Sequence, residues 1–444
     1  MLHADIAALK VVLISTYDLG RQPFGLASPA AWLRADGHHV TTADLSREPP
    51  PLEAVREADW ICFHLPMHTA TRLAVPQIRA ARLLNPVAHV VCYGLYAPAN
   101  EELLRSLGVE TVIGGEFERA LADLVGGRAG KHELIVLDRL PFLTPDRAAL
   151  PPLDRYAQVM RDGVKTVTGY TEASRGCKHL CRHCPIVPVY EGRFRVVQRE
   201  VVLADIRQQN AAGARHITFG DPDFLNGPAH ARAIVQALHC EFPEVTWDAT
   251  IKVEHLLKHR DLVPEFRRTG CLFVTSAVES LDDAVLARLA KGHTRADFYE
   301  ALGLMRENGL ALIPTFIPFT PWTSMDAYRD LLRAIRDLDL VPNLAPIQLA
   351  VRLLIPAGSK ILEMEDLRHG DFDAAALSWK WAHPDPAMDR LAADVQKLIR
   401  AEEKRGESRG SIFGSVWQRV FDELPDFHLP DRSTIPYLTE PWFC

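Results

Sequence analysis

The run SRGCKHLCRHCP constrains this chain more than any other segment, because its three cysteines have to meet at one point in the folded protein. Cys177, Cys181 and Cys184 have the spacing C-x3-C-x2-C, and no fourth cysteine lies near them in the sequence. Three thiolates on one short loop can bind three irons of a cubane cluster and leave the fourth iron open. Clusters that only transfer electrons usually have four cysteine ligands. The spacing therefore predicts an iron–sulfur cluster that does chemistry on a molecule bound to its open iron.

Two other interpretations of the three cysteines stay open. Zinc is bound by cysteine pairs or by cysteines with histidine, and His179 and His183 lie inside the run, so a zinc site is one alternative. A disulfide is the other, although disulfides are rare in intracellular proteins, which this chain is expected to be. Four further cysteines lie in apolar segments and are predicted to be core residues: Cys62, Cys92, Cys240 and Cys271. The last residue, Cys444, is either a reactive thiol that reaches the site or part of a frayed end.

The cysteine spacing resembles the signature of the radical S-adenosylmethionine (SAM) superfamily. The resemblance implies that Cys177, Cys181 and Cys184 bind a [4Fe–4S] cluster and form the catalytic centre. It also implies that SAM chelates the open iron through its amino and carboxylate groups. One position departs from the family pattern, because an aromatic residue often precedes the third cysteine and here the residue is His183, which keeps a planar ring.

Length and charge restrict the kind of protein. At 444 residues the chain is long for one domain, so two or three domains are expected. A net charge of −7 argues against a general nucleic-acid binder, because such proteins are usually basic. The N-terminal run MLHADIAALKVVLIS lacks the charged start and long apolar core of a signal peptide. No run of about 18 apolar residues occurs, so no membrane span is predicted and a cytoplasmic location is expected.

Short apolar runs alternate with helical segments through residues 1–125. Five runs are predicted as strands: Val11–Ser15, His38–Ala43, Trp60–Phe63, Val90–Tyr93 and Thr111–Ile113. The helices predicted between them include Leu26–Asp36, Thr71–Leu84 and Asn100–Leu107. This alternation is typical of a doubly wound α/β domain with a parallel sheet, which binds ligands beyond the carboxyl ends of its strands.

The loops after these strands resemble those of the Rossmann-like cobalamin-binding domain that precedes many radical SAM barrels. The run Gly114-Gly115-Glu116 before a leucine-containing helix carries the resemblance, and no G-x-G-x-x-G follows the first strand. The resemblance implies cobalamin as a cofactor. The residues expected to contact it are Ser15, Tyr17, Pro66, Gly94, Leu95, Gly114, Gly115 and Glu116. A degenerate Rossmann unit without a ligand is the alternative.

The cobalt ligand is a separate question. The D-x-H-x-x-G motif that supplies a histidine lower ligand in other B12 proteins is absent, so the resemblance implies cobalamin without that histidine. His64, Met67 and His68 follow the third predicted strand, near where the lower face of cobalamin would lie. Each is interpreted as a loop or packing residue, with cobalt ligation as the alternative.

A proline-rich segment, residues 126–165, separates two regions of strand–helix alternation. The predicted division is a cobalamin-binding domain (1–125), this linker (126–165), a partial (β/α)6 radical SAM barrel (166–358) and a mainly helical extension (359–444). The six strands predicted for the barrel are Thr166–Ser174, His216–Asp221, Thr246–Lys252, Leu272–Glu279, Leu310–Phe319 and Pro346–Ile355. The cysteine loop follows the first of them.

The strands of such a barrel are expected to end at the active site. Asp221 and Asp223 follow the second strand, where the family carries a polar motif that binds the SAM amino group; a solvated turn is the alternative. Ser276 and Glu279 match a family segment near the SAM ribose and methionine. Arg352 on the sixth strand is predicted to contact the SAM carboxylate or a substrate acid, with a structural salt bridge as the alternative.

Together with the resemblance, these features predict a cobalamin-dependent radical SAM methyltransferase. In that family a 5′-deoxyadenosyl radical removes hydrogen from an unactivated carbon, which then takes a methyl group from methylcobalamin. A non-methylating rearrangement, cyclisation or ring contraction is one alternative, and a non-catalytic cobalamin or iron–sulfur redox sensor is another. The expected partners are a small-molecule substrate and an external electron donor such as flavodoxin or ferredoxin, with no nucleic acid and no membrane.

Overall fold

The computed structural model describes residues 8–128, 133–430 and 435–440 of the chain. These residues form two successive α/β units, each with a parallel sheet, and a mainly helical C-terminal region. The predicted fold class is confirmed. Cys444 lies outside the described residues, as do the first seven residues of the predicted first domain.

The first sheet has six parallel strands in the order β2-β1-β3-β4-β5-β6. Its strands are β1 (Lys10–Ser15), β2 (His39–Asp44), β3 (Trp60–His64), β4 (His89–Tyr93), β5 (Thr111–Gly115) and β6 (Ile135–Val136). The helices that cover its two faces are α1 (Phe24–Ala35), α2 (Leu52–Glu57), α3 (His68–Leu84), α4 (Glu101–Ser106) and α5 (Phe117–Val125). The strand order reverses between β1 and β3, which opens a crevice at the carboxyl ends of these strands.

Strand β6 lies within the segment that was predicted to be a linker. It pairs in parallel with β5, so that Gly115 of β5 is opposite Val136. The segment after residue 126 therefore first extends the first sheet and then crosses to the second one.

The second sheet has the order β14-β13-β12-β11-β8-β7-β17, in which β8, β11, β12, β13 and β14 are parallel. Its strands are β7 (Gln158–Arg161), β8 (Val164–Thr171), β11 (His216–Phe219), β12 (Thr246–Thr250), β13 (Cys271–Glu279), β14 (Ala311–Phe316) and the C-terminal β17 (Tyr437–Leu438). Its helices are α7 (Arg199–Ala211), α8 (Pro228–Glu241), α9 (Val253–Lys258), α10 (Val263–Arg268), α11 (Asp283–Arg288), α12 (Arg295–Glu307) and α13 (Met325–Asp337).

The cysteine loop leaves the second sheet directly after β8. A short strand β9 (Ser174–Gly176) pairs antiparallel with β10 (Phe194–Val196), and the loop that contains the three cysteines runs from β9 to helix α6 (Val187–Tyr190). The pairing of β9 with β10 brings the two ends of this segment together beside the carboxyl edge of the sheet.

The prediction of a sixth barrel strand over Pro346–Ile355 is wrong. Pro346 begins a 3-10 turn that ends at Leu349, and a single parallel bridge joins Phe319 to Arg352. Proline lacks the N–H that a continuous ladder needs and favours the start of a helical turn. The run is partly buried and packs as a turn and extended chain beside β14.

The C-terminal region contains a hairpin that the sequence pattern did not predict. Strands β15 (His369–Asp373) and β16 (Ser378–Trp381) pair antiparallel, and two helices follow: α14 (Pro386–Arg405) and α15 (Arg409–Phe421). Within the three described ranges, no helix combines the length and the apolar composition needed to cross a membrane.

Three of the four cysteines that were predicted to be core residues are buried: Cys62, Cys92 and Cys271. The prediction for Cys240 is wrong, because this residue is exposed. It lies in the last turn of α8, two residues after the buried Leu238, and therefore on the solvent side of the helix.

We expect Gly115→Ala to destabilise the first sheet. Gly115 has φ +76°, and an added Cβ would overlap the carbonyl oxygen of Val136 on β6. A left-handed backbone with a side chain costs about 1–2 kcal/mol, and overpacking adds about 1–3 kcal/mol. Gly163→Ala is the matched control, because Gly163 has φ +78° and open space at its Cβ. Thermal unfolding should show a larger loss for Gly115→Ala; equal losses would contradict the steric argument.

Candidate active site

A cavity of about 430 Å³ lies where the carboxyl ends of the two sheets face each other. The first sheet contributes residues that end or follow β1, β3, β4 and β5, and the second contributes residues that end or follow each of its five parallel strands. Ligands of α/β proteins bind at such strand ends. A cavity that two of these edges share can hold one ligand from each sheet in contact with the other.

The three cysteines of the predicted cluster site all line this cavity. Cys177 and Cys181 are buried, and Cys184 is half-buried. Burial raises the pKa of the Cys177 thiol to about 11 and that of the Cys184 thiol to about 12. Both thiols therefore hold their protons at neutral pH until a metal displaces them, because only thiolates bind metal. Three thiols on one cavity wall fit a cluster whose fourth iron faces the cavity.

Asn226 holds the first half of the cysteine loop. Its buried side chain accepts a hydrogen bond from the N–H of Lys178 (3.1 Å) and donates one to the carbonyl of Gly176 (3.2 Å). At the other end of the loop, the N–H of Arg182 donates to the carbonyl of Leu289 (3.0 Å). The backbone around the cysteines is therefore fixed by partners outside the loop.

Asp221, a predicted SAM contact, lines the cavity, but other parts of the protein already engage its carboxylate. It accepts hydrogen bonds from the N–H of Ala173 (2.9 Å) and the hydroxyl of Ser174 (2.5 Å). Burial raises the pKa of Asp221 to about 7. Its observed contacts hold the chain just before the cysteine loop.

Asp223, the second predicted contact after β11, is buried away from the cavity wall. Its Oδ1 accepts from the N–H of Leu225 (3.1 Å), and its Oδ2 faces His255 Nδ1 (2.7 Å) and His179 Nε2 (3.6 Å). Burial opposes ionisation, but the two histidines hold the pKa of Asp223 down at about 2. The ligand atoms of Cys177, His179 and Asp223 lie within 4.8 Å of one another, so the zinc alternative keeps a possible ligand set. A direct contact of Asp223 with SAM stays a prediction.

Glu279 lines the cavity at the end of β13 and has a left-handed backbone, with φ +67°. Its Oε1 lies 3.2 Å from Lys291 Nζ and 3.1 Å from Nε2 of His183 in the cysteine loop. Although burial raises it, the pKa of Glu279 falls to about 2 because of these two partners. A non-glycine residue is held in this conformation only where its surroundings over-determine it, which is common at functional sites.

Lys252 supplies a buried cation at the cavity wall beside the cysteines. Its Nζ lies 3.9 Å from Cys181 Sγ and 3.4 Å from Glu254. With Lys291, it places two ammonium groups near the thiols. This arrangement favours anionic groups at the open face of a cluster, whether thiolate sulfur or the carboxylate of a bound ligand.

The other two residues predicted from the strand ends differ in position. Ser276 is fully buried and does not line the cavity, and its hydroxyl has no hydrogen-bond partner among the described residues. Arg352 lines the cavity but pairs with Asp389 (2.6 Å), donates to the carbonyl of Trp381 (2.8 Å) and stacks on the Trp381 ring at 3.6 Å. These contacts are those of the structural salt bridge that was the alternative for Arg352.

Of the eight residues predicted to contact cobalamin, three line the cavity: Pro66, Leu95 and Gly115. The others lie behind or beside it: Ser15, Tyr17, Gly94, Gly114 and Glu116. Tyr17 donates a hydrogen bond to Glu440 near the C-terminus (2.7 Å), and Glu116 accepts one from Tyr190 (2.9 Å).

The wall on the side of the first sheet has an apolar part and a polar part. The apolar part consists of Pro66, Met67, Leu95, Tyr96 and Phe117, and Asp18 and Arg21 line the same side. His64 also lines the cavity, and its buried Nδ1 lacks a hydrogen-bond partner among the described residues. Burial and the nearby Arg175 lower the pKa of His64 to about 3, so this imidazole is neutral. An unpartnered neutral imidazole in an apolar wall is compatible with a bound macrocycle.

Several cavity residues were not among the predicted contacts. They include the charged residues Asp18, Arg21, Glu172, Arg175, Lys252 and Lys291 and the phenolic residues Tyr96, Tyr170 and Tyr190. The sequence did contain a positional signal for two of them: Lys252 is the last residue of the predicted third barrel strand, and Arg175 lies two residues before Cys177. Asp18 and Arg21 follow β1, but charged residues are common in loops, so nothing in the sequence distinguished these two as cavity residues.

Comparison with known families identifies the central part of the chain. Residues 171–335 match the family model of the radical SAM superfamily, so this segment is a radical SAM domain. The match covers the cysteine loop, β11 to β14 and the helices between them. It confirms the predicted resemblance and supports a [4Fe–4S] cluster and SAM as cofactors.

Longer similarities extend across most of the chain. The anaerobic magnesium-protoporphyrin IX monomethyl ester cyclase of Synechocystis is 22% identical over 71% of this chain and 68% of its own length. The hopanoid C-3 methylase of Methylococcus capsulatus is 23% identical over 68% of this chain and 62% of its own length. The solved structure of the cobalamin-dependent SAM radical enzyme OxsB with aqua-cobalamin bound has a TM-score of 0.68 and 14% identity, over 89% of this chain and 67% of that one. This likeness shows a shared fold, and the chain spans about two thirds of each relative.

We expect Asn226→Ala to impair binding of the iron–sulfur cluster by the cysteine loop. The substitution leaves the N–H of Lys178 and the carbonyl of Gly176 without partners, and each lost buried hydrogen bond costs about 1–3 kcal/mol. Iron bound per chain after anaerobic reconstitution should fall to roughly half or less at that energetic cost. Asn308→Ala removes a comparable bond to Leu304 far from the loop and should keep full iron content. Full loading of Asn226→Ala would contradict this role.

We also expect Asp18→Asn to stabilise the chain in a pH-dependent way. Burial raises the pKa of Asp18 to about 7, so the folded state disfavours the ionised carboxylate above that pH, whereas below about pH 4 the group is protonated in both states. The gain should be below roughly 1 kcal/mol at pH 4 and roughly 4 kcal/mol at pH 8. Thermal unfolding at both pH values measures it, with the 89%-exposed Asp326 changed to Asn as control. A gain that does not depend on pH would refute the argument.

Proposed function

We propose that this chain, whose residues 171–335 form a radical SAM domain, is a cobalamin-dependent radical SAM methyltransferase that methylates an unactivated carbon of a small molecule. One observation carries the proposal: a single cavity is lined by the three cysteines and by the carboxyl edge of the first sheet. A chain that used only a cluster and SAM would not need this second edge.

One comparison supports the cobalamin part of the proposal and a second supports the methyl transfer. The solved relative that shares the fold over 89% of this chain contains aqua-cobalamin, and a curated relative is named as a methylase. In this chain the residues that line the cavity at the carboxyl edge of the first sheet include the apolar Pro66, Met67, Leu95 and Phe117. We therefore assign residues 1–125 to cobalamin, 126–165 to the linker, 166–358 to the barrel and 359–444 to the C-terminal extension.

The cofactors would supply the radical and the methyl group, and the protein would position them. Cys177, Cys181 and Cys184 would hold the cluster, while Glu279 and Lys252 would present a carboxylate and an ammonium group to the amino and carboxylate groups of SAM. The mostly apolar wall would exclude water from a reactive intermediate. Such positioning is the main contribution that a protein makes to cofactor chemistry.

The substrate and the electron donor follow from the same geometry. A substrate would have to fit between two cofactors within one cavity, which favours a small molecule over a macromolecule. An external donor such as flavodoxin or ferredoxin would reduce the cluster. The exposed side chain of Leu180, between Cys177 and Cys181, marks the solvent side of the loop where a donor would approach.

A second candidate keeps both cofactors but transfers no methyl group. The similarity to a protein named as a cyclase favours it, because that similarity extends over 71% of this chain. The two candidates differ in their SAM products: methyl transfer consumes a second SAM and forms S-adenosylhomocysteine, whereas a cyclisation or rearrangement does not.

The decisive experiment is metal analysis after anaerobic purification with cobalamin. The proposal expects four irons, as its single [4Fe–4S] cluster requires, and one cobalt per chain. Iron without cobalt would leave a radical SAM enzyme that does not use cobalamin and would overturn the methyltransferase proposal. Zinc in place of iron would overturn it as well.

We predict that Cys177→Ala, Cys181→Ala and Cys184→Ala each abolish reductive SAM cleavage. Each variant removes one thiolate, and two thiolates cannot hold the cluster in place. The readout is 5′-deoxyadenosine formed from SAM with dithionite as reductant, together with iron content. Cys240→Ala is the control, because Cys240 is exposed and does not line the cavity. Retained cleavage in any of the three cavity variants would refute the assignment.

A further inference from the structure

A buried charge cluster joins the first sheet to the cysteine loop. Arg175 on β9 donates to both oxygens of Glu118 on α5, at 2.6 and 2.9 Å. It also donates to Glu116 (3.4 Å) and to Glu172 (2.6 Å). We call these four residues the Arg175 cluster. Arg175, Glu116 and Glu118 are all buried, so the polar bonds between the two α/β units are removed from water.

Aromatic rings fix the guanidinium in place. Arg175 lies over the rings of Phe24, Phe117 and Phe142 at 5.0 to 5.5 Å, and these rings come from α1, α5 and the linker. A buried, bidentate pair enclosed by apolar rings has few alternative geometries. Movement of α5 relative to β9 would therefore break charged bonds that water cannot replace.

Residues of the Arg175 cluster are neighbours in the sequence of residues that line the cavity on both sides. Glu116 directly follows Gly115, and Phe117 lies between the two glutamates; Gly115 and Phe117 line the cavity on the side of the first sheet. Arg175 is separated from Cys177 by Gly176 alone, and a Cβ on Gly176 would overlap Tyr190. The hydroxyl of Tyr190 also donates to Glu116 (2.9 Å). Both ends of the cysteine loop are thus bonded to the segment that follows β5.

We infer that the Arg175 cluster positions the cysteine loop in response to a ligand on the first sheet, so that cobalamin and the iron–sulfur cluster each tighten the binding of the other. A ligand that orders Gly115 and Phe117 would hold Glu116 and Glu118, and through them Arg175 and the adjacent Cys177. Because coupling between two sites is reciprocal, a loaded cysteine loop would order the first-sheet wall in the same way. The inference rests on the proposed function.

The chain provides a matched control for this effect. Arg147 in the linker forms a second buried bidentate pair, with Asp205 on α7, at 2.7 and 2.9 Å. It also bonds Gln22 of the first unit, so it joins the two units as well, but none of its partners lies beside a cysteine. Glu118 and Asp205 are both fully buried. Glu118→Gln and Asp205→Asn each remove the charge from a buried bidentate pair that joins the two units, but only Glu118 bonds the residue that lies two positions before Cys177.

The test measures the dissociation constant of hydroxocobalamin by equilibrium dialysis, for cluster-loaded and cluster-free full-length chain. The quantity of interest is the ratio of the dissociation constants of hydroxocobalamin without and with the iron–sulfur cluster. In the wild type we expect this ratio to be at least about five, within the usual range of coupling between sites. In Glu118→Gln this ratio should fall to about one, whereas in Asp205→Asn it should stay near the wild-type value even if both affinities change. Circular dichroism establishes that each variant is folded.

Each outcome decides a different point. A wild-type ratio of one, or an unchanged ratio in Glu118→Gln, would overturn the coupling while leaving cobalamin binding intact. No binding of hydroxocobalamin by the cluster-loaded wild type would overturn the proposed function and the coupling with it. If Glu118→Gln does not fold, Tyr190→Phe removes only the hydroxyl bond to Glu116 and should lower the ratio without abolishing it.

Discussion

The geometry of this protein depends on one buried guanidinium that is shared among three carboxylates. Burial alone would lower the pKa of Arg175, but Glu118, Glu172 and Glu116 hold it above its ordinary value, so the charge persists in the interior. The cluster contains three carboxyl groups and one guanidinium. Burial raises the pKa of one of these carboxyl groups, that of Glu116, to about 7. Replacing such a cluster with apolar side chains is often neutral or stabilising, so its value lies in specificity rather than in stability. Here it fixes the first sheet against the strand that enters the cysteine loop.

That constraint explains why residues of both α/β units line the cavity. In an isolated α/β unit the carboxyl edge of the sheet faces solvent. In this chain the two edges face each other, so that Gly115 and Phe117 from one and the three cysteines from the other line a common space. Two large cofactors bound to separate sheets can react only if their distance is set by the protein. A buried pair with few alternative geometries sets that distance better than exposed salt bridges, which contribute little.

Local patterns in the sequence predicted the local parts of this structure. Alternating apolar and helical segments predicted the first five strands of the first sheet and the five parallel strands of the second, and the spacing of the cysteines predicted the loop that lines the cavity, because both signals involve neighbouring residues. The sixth barrel strand was wrong because an apolar run that starts at Pro346 is equally compatible with a buried turn. The pairing of Arg175 with Glu118 joins residues 57 positions apart, which no periodicity encodes. For the same reason the engagement of Asp221 by Ser174 was not anticipated.

Two strained backbones and two desolvated carboxyl groups lie at the cavity. Leu19 and Glu279 both line it with left-handed backbones, at φ 48° and 67°, although neither is glycine. Burial raises the pKa of Asp18, on the side of the first sheet, and of Asp221, on the side of the second, to about 7. Each of these features costs folding free energy in the ligand-free chain, and proteins retain such costs where function needs them. Strain and desolvated charge therefore favour this cavity as the functional site, by an argument that uses neither the cysteine spacing nor any relative.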